Sequence, residues 1–450
     1  MKRATRPCAP PRLARRAAAW LAAGVALLMS ASAAHAQLGR LPSVNVPGPL
    51  QQLPQQLPIA PLQDTLRQVT QLQQLRVTTQ RDLLRRYPDL IEPDPAGQPM
   101  RRAELLWLSP APASLQAAQA QGFTLLREQD LPELGLRQLV LRPPAGVSTA
   151  EAAQRLRAIE PDAAVDFNHL YLRSGETTGR TAEVETTASA PPRAAARGVG
   201  LIDGGIDRRH PALAGARVQA WGCDGREHPS AHGTGVASLL VGSDGAFSGL
   251  QPGATLFAAD VYCEQPTGGA AEDVARALAW MVREQVPVIN VSLVGPRNAL
   301  LEKATQALLR QGHLIVAAVG NDGPAAPPLY PAAYAGVVGV SGVTPKRRAL
   351  PEAAQGPQVS VCAPGSELAV ARPGGGYVIA RGTSFAAPIV AGLLAGQMVR
   401  PDVQAAAAAL AQIARGAVDL GEPGRDPVYG YGLVGETART APERVAARRP

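Results

Sequence analysis

Three short polar clusters hold the residue types that nucleophilic acyl transfer needs. A carboxylate lies in Ile202-Asp203-Gly204-Gly205-Ile206-Asp207, an imidazole in His232-Gly233-Thr234-Gly235-Val236-Ala237, and a hydroxyl in Arg381-Gly382-Thr383-Ser384-Phe385-Ala386-Ala387-Pro388. A histidine takes the proton from an attacking serine hydroxyl, while a carboxylate fixes the imidazole tautomer and stabilises its cation. A fourth stretch, Ala318-Val319-Gly320-Asn321-Asp322-Gly323, adds an amide side chain. With the backbone N–H of Ser384, Asn321 would supply two donors for a tetrahedral oxyanion. Taken singly, each cluster has an ordinary reading. Gly-Thr-Ser before a helix is an N-cap, strand-Asp-Gly and Asn-Asp-Gly are turns, and a helix-initial histidine is more often structural. Only the combination points to chemistry.

The elements around these clusters read as follows. Tyr377–Ala380 is a short strand, and the small-residue run Phe385–Gly396 is a buried helix. Ser384 then sits at a strand-to-helix junction, at the positive end of the helix. Pro388 is expected in the first turns, where a missing N–H costs little. Beyond Arg197, strands (Val199–Ile202, Arg217–Trp221, Leu256–Tyr262, Val286–Leu293, Leu314–Val319, Val337–Val343, Val359–Cys362) alternate with helices such as Glu272–Glu284 and Leu300–Arg310. Near-continuous apolar strands mean that both sheet faces are covered. The expectation for residues 198–435 is a doubly wound, mostly parallel α/β sheet with helices on both faces. In such sheets functional residues gather at the carboxyl ends of the strands.

Upstream, residues 1–36 carry six basic residues, the apolar run Ala17–Met29 and the small-x-small pattern Ala34-His35-Ala36, which together read as a secretory signal peptide. Residues 37–102 read as a Pro/Gln/Leu-rich linker followed by an amphipathic helix over 62–86. Residues 103–172 show the pattern β-α-β-β-α-β of a small ferredoxin-like α+β domain, closed by one strand from Ala164 to Leu172. His169 is read there as a lone polar residue at a strand end. Residues 173–197 are expected to be a flexible, cleavable connector, and 436–450 a C-terminal tail.

The formal charge is +8, but the six basic residues of the signal peptide meet no acidic residue there, leaving about +2 after processing. That gives no case for nucleic-acid binding. No later apolar run is long enough for a membrane span. Cys223 and Cys263 each follow a predicted strand. If those strands are parallel neighbours, the thiols meet at one sheet end and form a disulfide. Cys362 reads as a small buried core residue.

The clusters at Asp203, His232 and Ser384 resemble the Asp-x-Gly, His-Gly-Thr and Gly-Thr-Ser-x-Ala-x-Pro blocks of the subtilisin-like serine proteases, in that family's order. The order is a known property of the family rather than a consequence of the spacing. The resemblance runs from about 198 to 435 and includes His210-Pro211-Ala212-Leu213, Ile289-Asn290-Val291-Ser292-Leu293, Tyr330-Pro331-Ala332, Val361-Cys362-Ala363-Pro364-Gly365 and Asp426-Pro427-Val428-Tyr429-Gly430-Tyr431-Gly432. It implies catalytic roles for Asp203, His232 and Ser384, and an oxyanion role for Asn321. It further implies a substrate-pairing strand at Ser292, Leu293, Val294 and Gly295, with Gly320 in a wall of the specificity pocket. Residues 103–172 resemble the family's propeptide, an intramolecular chaperone and inhibitor whose tail, after Phe167-Asn168-His169-Leu170-Tyr171, enters the cleft. Three departures stand out. Gly235 replaces a second histidine, Val294 replaces a glycine and should crowd the pocket, and Ala212 replaces a calcium-binding aspartate, so no metal site is expected.

The resulting expectation is an exported (extracellular or periplasmic) serine endopeptidase, made as a zymogen, without a cofactor, acting on protein or peptide substrates. A catalytically silent relative acting as a binding protein is the second reading, supported only by Val294. An acid-active carboxyl-type serine peptidase is the third, opposed by His232 where that family has a glutamate.

Overall fold

The structure, a computed structural model, describes residues 78–173, 176–182, 198–245 and 247–442. The signal peptide, the linker, residues 62–77 of the amphipathic helix, connector residues 183–197 and the end of the tail from 443 lie outside the described residues. Residues 78–86 are helical.

The first body is built from β1 (Ile91–Pro93), β2 (Pro99–Leu108), α1 (Pro112–Ala120), β3 (Thr124–Leu131), β4 (Leu136–Arg142), α2 (Thr149–Ile159) and β5 (Ala164–His169). Its antiparallel strands lie in the order β3-β4-β2-β5, with β1 along the start of β2. From β2 to β5 the elements run β-α-β-β-α-β. Trp107, Phe123, Leu139, Leu141 and Leu156 fill the space between sheet and helices. The Ser148 hydroxyl caps α2 by accepting from the Glu151 N–H at 3.2 Å.

The single strand expected from Ala164 to Leu172 breaks after His169. Leu170 N–H is taken by Pro99 C=O at 2.9 Å, and Tyr171 N–H by Gly269 C=O at 2.8 Å. The chain thereby leaves its own sheet, and β6 (Leu172–Arg173) pairs with another part of the molecule. His169 is not a lone residue either. Its Nε2 lies 3.0 Å from Asp94 Oδ2, and Asn298 Nδ2 donates to its Nδ1 at 3.2 Å.

Residues 173–197 were expected to be a flexible connector, yet β7 (Glu176–Ala182) is a strand. Threonines at 177, 178 and 181 favour extended backbone, and a sheet edge is on offer to pair with it.

The larger body begins with β8 (Gly198–Asp203), β9 (Arg217–Trp221), α3 (Ala231–Val241), the short pair β10 (Ser243–Asp244) and β11 (Phe247–Ser248), and β12 (Thr255–Asp260). It continues through α4 (Ala271–Arg283), β13 (Val288–Val291), β14 (Leu293–Val294), α5 (Ala299–Arg310), β15 (Leu314–Ala318) and β16 (Val338–Val343). It ends with β17 (Val359–Pro364), β18 (Leu368–Ala371), β19 (Tyr377–Arg381), α6 (Thr383–Ala395) and α7 (Val403–Gly416).

Seven parallel strands form the central sheet in the order β17-β16-β15-β13-β8-β12-β9. Val199 and Leu201 of β8 belong to the apolar layer that also holds residues of α3, α6 and α7, while Ile202 joins the layer of α4 and α5. This alternation covers both faces and makes the doubly wound α/β fold that the apolar strands implied. Leu106, Leu108 and Val140 on the second face of the small sheet share the α4–α5 layer.

The run Val286–Leu293, expected as one strand, splits at Ser292. β13 stays in the sheet, and β14 turns out to pair with β6. At the C-terminus the tail is docked as far as it is described, with Arg347 paired to Glu436 at 2.7 Å and Ala369 N–H bonded to Thr440 C=O. Among the described residues no helix is long and apolar enough to cross a membrane.

Candidate active site

Asp203 is the last residue of β8 and is fully buried. Its Oδ1 accepts the Gly204 N–H at 2.6 Å, and both carboxylate oxygens face His232 Nδ1, at 2.9 and 2.8 Å. His232 is the second residue of α3, whose start is capped by Ser230 accepting the Gly233 N–H at 3.0 Å. Gly233 explains how this helix comes so near the β8 turn. A methyl group there would lie 2.3 Å from Gly204 O. At Gly235, where the family has its second histidine, a methyl would lie 3.0 Å from Val370 and 3.3 Å from Phe385, so α3 packs directly on β18 and α6.

Ser384 is the second residue of α6, after Gly382 at φ +129°, a backbone conformation that glycine adopts without strain. The ring of His232 lies 5.2 Å from that of Phe385, the residue after Ser384, which brings the imidazole to the start of α6. The Ser384 hydroxyl is buried and makes no hydrogen bond among the described residues.

Pro388 is not in the first turn but is the sixth residue of α6. Its missing N–H would have bonded the carbonyl of Ser384, four residues back. The Ser292 hydroxyl donates to that carbonyl instead, at 3.0 Å, and itself accepts from Asn290 Nδ2 at 2.8 Å. The proline thus frees the carbonyl through which Ser384 is tied to the start of β14.

Asn321 follows β15. Its Oδ1 accepts the Thr383 N–H at 3.0 Å, and Gly320 N–H donates to Thr383 Oγ1 at 3.3 Å. Fixing the oxygen against the start of α6 turns the NH2 end of the amide away from the helix. A brace missed by sequence reasoning supports this loop. Glu352 takes Arg381 in a two-armed ion pair, at 2.7 and 2.9 Å, while Gly323 N–H bonds Glu352 C=O and Ala354 N–H bonds Gly320 C=O. The Arg381–Glu352 pair joins residues 29 apart in sequence, and nothing in local composition signals it.

The cleft is bounded by β14 on one side and by the loop after β12 on the other. Leu293 faces Arg173 and Val294 faces Leu172 in the β14–β6 pair. Gly295 and Tyr330 exchange backbone hydrogen bonds at 2.9 and 3.0 Å. Tyr171 lies against Gly295, where a methyl would be 2.6 Å from its ring, and its hydroxyl donates to Pro296 C=O at 2.6 Å. From the opposite wall the Tyr262 hydroxyl donates to Tyr171 C=O at 2.9 Å, and the Arg173 guanidinium stacks 4.2 Å over the Tyr262 ring. Sequence reasoning did not find Tyr262.

Cys223 follows β9 and Cys263 follows β12, strands that are parallel neighbours, and the two sulfurs are bonded, with Cα atoms 5.2 Å apart. Asp260 Oδ1 accepts the Tyr262 and Cys263 N–H groups beside them. Those thiols are consumed in the disulfide, so their cluster with Asp260 offers no thiolate pair to a cation. Cys362 is buried, which pushes its thiol up to about 12.

The subtilase family model matches residues 197–432. The chain belongs to the subtilase family. Among curated subtilases, the minor extracellular protease Epr of Bacillus subtilis (strain 168) is 28% identical over 253 residues, 55% of this chain and 39% of Epr. Subtilisin E of the same organism is 30% identical over 206 residues, 44% of this chain and 54% of its own. Thermitase of Thermoactinomyces vulgaris is 32% identical over 203 residues, 43% of this chain and 72% of its own. The chain thus spans about half or less of the length of the first two. Among solved structures, fervidolysin from Fervidobacterium pennivorans, a keratinolytic enzyme related to subtilisin, superposes with a TM-score of 0.61 over 75% of this chain and 61% of its own, at 18% identity. The fold is therefore that of a subtilase.

Proposed function

We propose that the chain is an exported serine endopeptidase, made as a zymogen, that cuts peptide bonds through Asp203, His232 and Ser384. The observation that carries this reading is the pair of short contacts from Asp203 to His232 Nδ1, beside the helix start that bears Ser384. With Nδ1–H held by the carboxylate, the Nε2 of the neutral imidazole is the base. It takes the Ser384 proton as the Oγ attacks the substrate carbonyl. The oxyanion that forms is met by the Asn321 amide and the Ser384 N–H. His232 then protonates the leaving amine, and a water molecule repeats the sequence to release the acyl group from Ser384.

In this reading the small domain is the inhibitor and folding partner. Its edge caps two helices of the larger body. Ala299 N–H at the start of α5 donates to Asp166 Oδ2 at 2.7 Å, and Glu272 N–H in the first turn of α4 donates to Asn168 Oδ1 at 3.3 Å. Arg101 pairs with Glu272 and with Asp273, the latter at 2.6 Å. The pairing of β6 with β14 supports this reading, since a substrate backbone would be expected on the same strand.

A sulfonyl fluoride is expected to label Ser384 covalently in the processed protein and to leave Ser384→Ala unlabelled and inactive. Absence of labelling after the small domain is removed would favour the silent binding protein. N-terminal sequencing of protein recovered from culture fluid tests export and self-processing together.

A further inference from the structure

We propose that the open edge of β19 is a docking strand for the C-terminal half of the substrate, so that the enzyme acts best on extended polypeptide continuing several residues past the bond it cuts. This rests on the protease reading above and names the substrate class of the same site. The chain's own β7 shows the fit. It lies antiparallel along β19 in five pairs, from Glu176 opposite Arg381 to Ala182 opposite Tyr377, with a shift of register between Val378 and Ile379. β7 is the outermost strand of its sheet, in the order β18-β19-β7. Without it, one edge of β19 presents a row of unpaired N–H and C=O groups. Because β7 follows β6 in the chain, β19 receives the part of a bound chain that lies C-terminal to the part on β14. Both holds adjoin the start of α6. Ser292, next to β14, binds the Ser384 carbonyl, and β19 ends at Arg381, three residues before Ser384. The piece held on β19 is therefore the one that leaves as the amine.

β19 does not depend on β7 for its shape. Its other edge pairs with β18, from Leu368 opposite Ala380 to Ala371 opposite Tyr377. Tyr377 and Ala380 are buried in one core layer with all of β18. The Tyr377 hydroxyl donates to Asp244 Oδ2 at 2.9 Å, Glu352 grips the Arg381 guanidinium, and Gly382 N–H bonds Gly365 C=O at 2.8 Å. A strand fixed from one side can exchange what pairs on the other, and only the incoming chain then loses freedom. Pairing through main-chain groups reads backbone shape rather than side-chain identity. It favours segments with β-branched residues, such as Thr177, Thr178 and Thr181 of β7, and rejects proline, which lacks the donor. A folded substrate, whose backbone groups are already paired, would have to open first.

The test uses the purified full chain, incubated until a sample of it takes up a sulfonyl fluoride at Ser384. Two quenched fluorogenic peptides are compared. One is Tyr-Leu-Arg-Ser-Gly-Glu-Thr-Thr-Gly-Arg-Thr-Ala, the sequence of residues 171–182, and the other is the same peptide ended after Glu. kcat/KM for the long peptide is expected to be higher by roughly tenfold or more, chiefly through KM. Neighbouring residues of an antiparallel strand turn their N–H groups to opposite sides. Of two long peptides, one N-methylated at the first Thr and one at the second, a single one should therefore fall to the short-peptide rate. Equal rates for the long and short peptides, or methylations of which both or neither slow cleavage, would overturn the proposal and leave the protease reading standing. Absence of both labelling and cleavage would overturn the protease reading itself.

Discussion

Asn321 holds the Thr383 N–H with its oxygen, and its NH2 end is proposed to meet the substrate oxyanion. Two substitutions separate these jobs. Asn321→Ala removes both and is expected to lower kcat by about 10²–10³, with KM little changed. Asn321→Asp keeps an acceptor for Thr383 but turns a negative charge toward the developing oxyanion, so it should be at least as damaging. An aspartate variant with near wild-type turnover would reduce Asn321 to a structural cap. At this scale most of the site was legible in the sequence, because Asp203, His232, Asn321 and Ser384 each sit next to glycine or a helix start in short, dense motifs. Tyr262 and Glu352 were not legible. Each acts through a contact made across the fold, and an aromatic and an acidic side chain in loops have many ordinary explanations.

At the scale of elements, α6 is tied to β14 through an unusual donor. The Ser292 hydroxyl serves the carbonyl that Pro388 leaves without its helical partner. Ser292→Ala would strand that buried carbonyl, at a cost of about 1–3 kcal/mol in stability. It should also lower kcat more than it raises KM, measured by denaturant unfolding and steady-state kinetics. A variant equally stable and equally fast would show that the tie is dispensable. The strands and helices of the larger body could be read because their apolar runs are long and both faces of the sheet are covered. Two breaks could not. The chain leaves β5 at Leu170, and Ser292 splits β13 from β14, both to make pairings with distant segments that no local pattern records. The polar run at 176–182 reads as linker composition and becomes strand β7 only because β19 offers an open edge.

For the whole molecule, the contact between the small and larger bodies carries a titrating group. Burial pushes the carboxyl of Asp273 up to about 6, with Arg101 pulling against it and Glu272 adding to it. A carboxylate whose folded value lies above its unfolded value of 3.8 stabilises most below that lower value, and the contribution is lost as pH rises through about 6. In a Ser384→Ala background, which keeps the chain intact, thermal melts from pH 4 to 7 should show the parent losing more stability than Asp273→Asn. Parallel curves would remove the assignment. A separately produced fragment of residues 37–172 should inhibit the processed enzyme when added in molar excess. Unchanged turnover would end the inhibitor reading.

The bond between Cys223 and Cys263 closes a loop with a sequence separation of 40, worth about 4 kcal/mol by chain entropy alone. It anchors the base of the wall that presents Tyr262 to the cleft. Copies held in a thiol-rich cytosol would lack this bond and carry a slack rim. If the protein is the exported protease proposed above, its competence is coupled to arrival where cysteines oxidise, and a reductant titration of peptide turnover would read that dependence as a rise in KM.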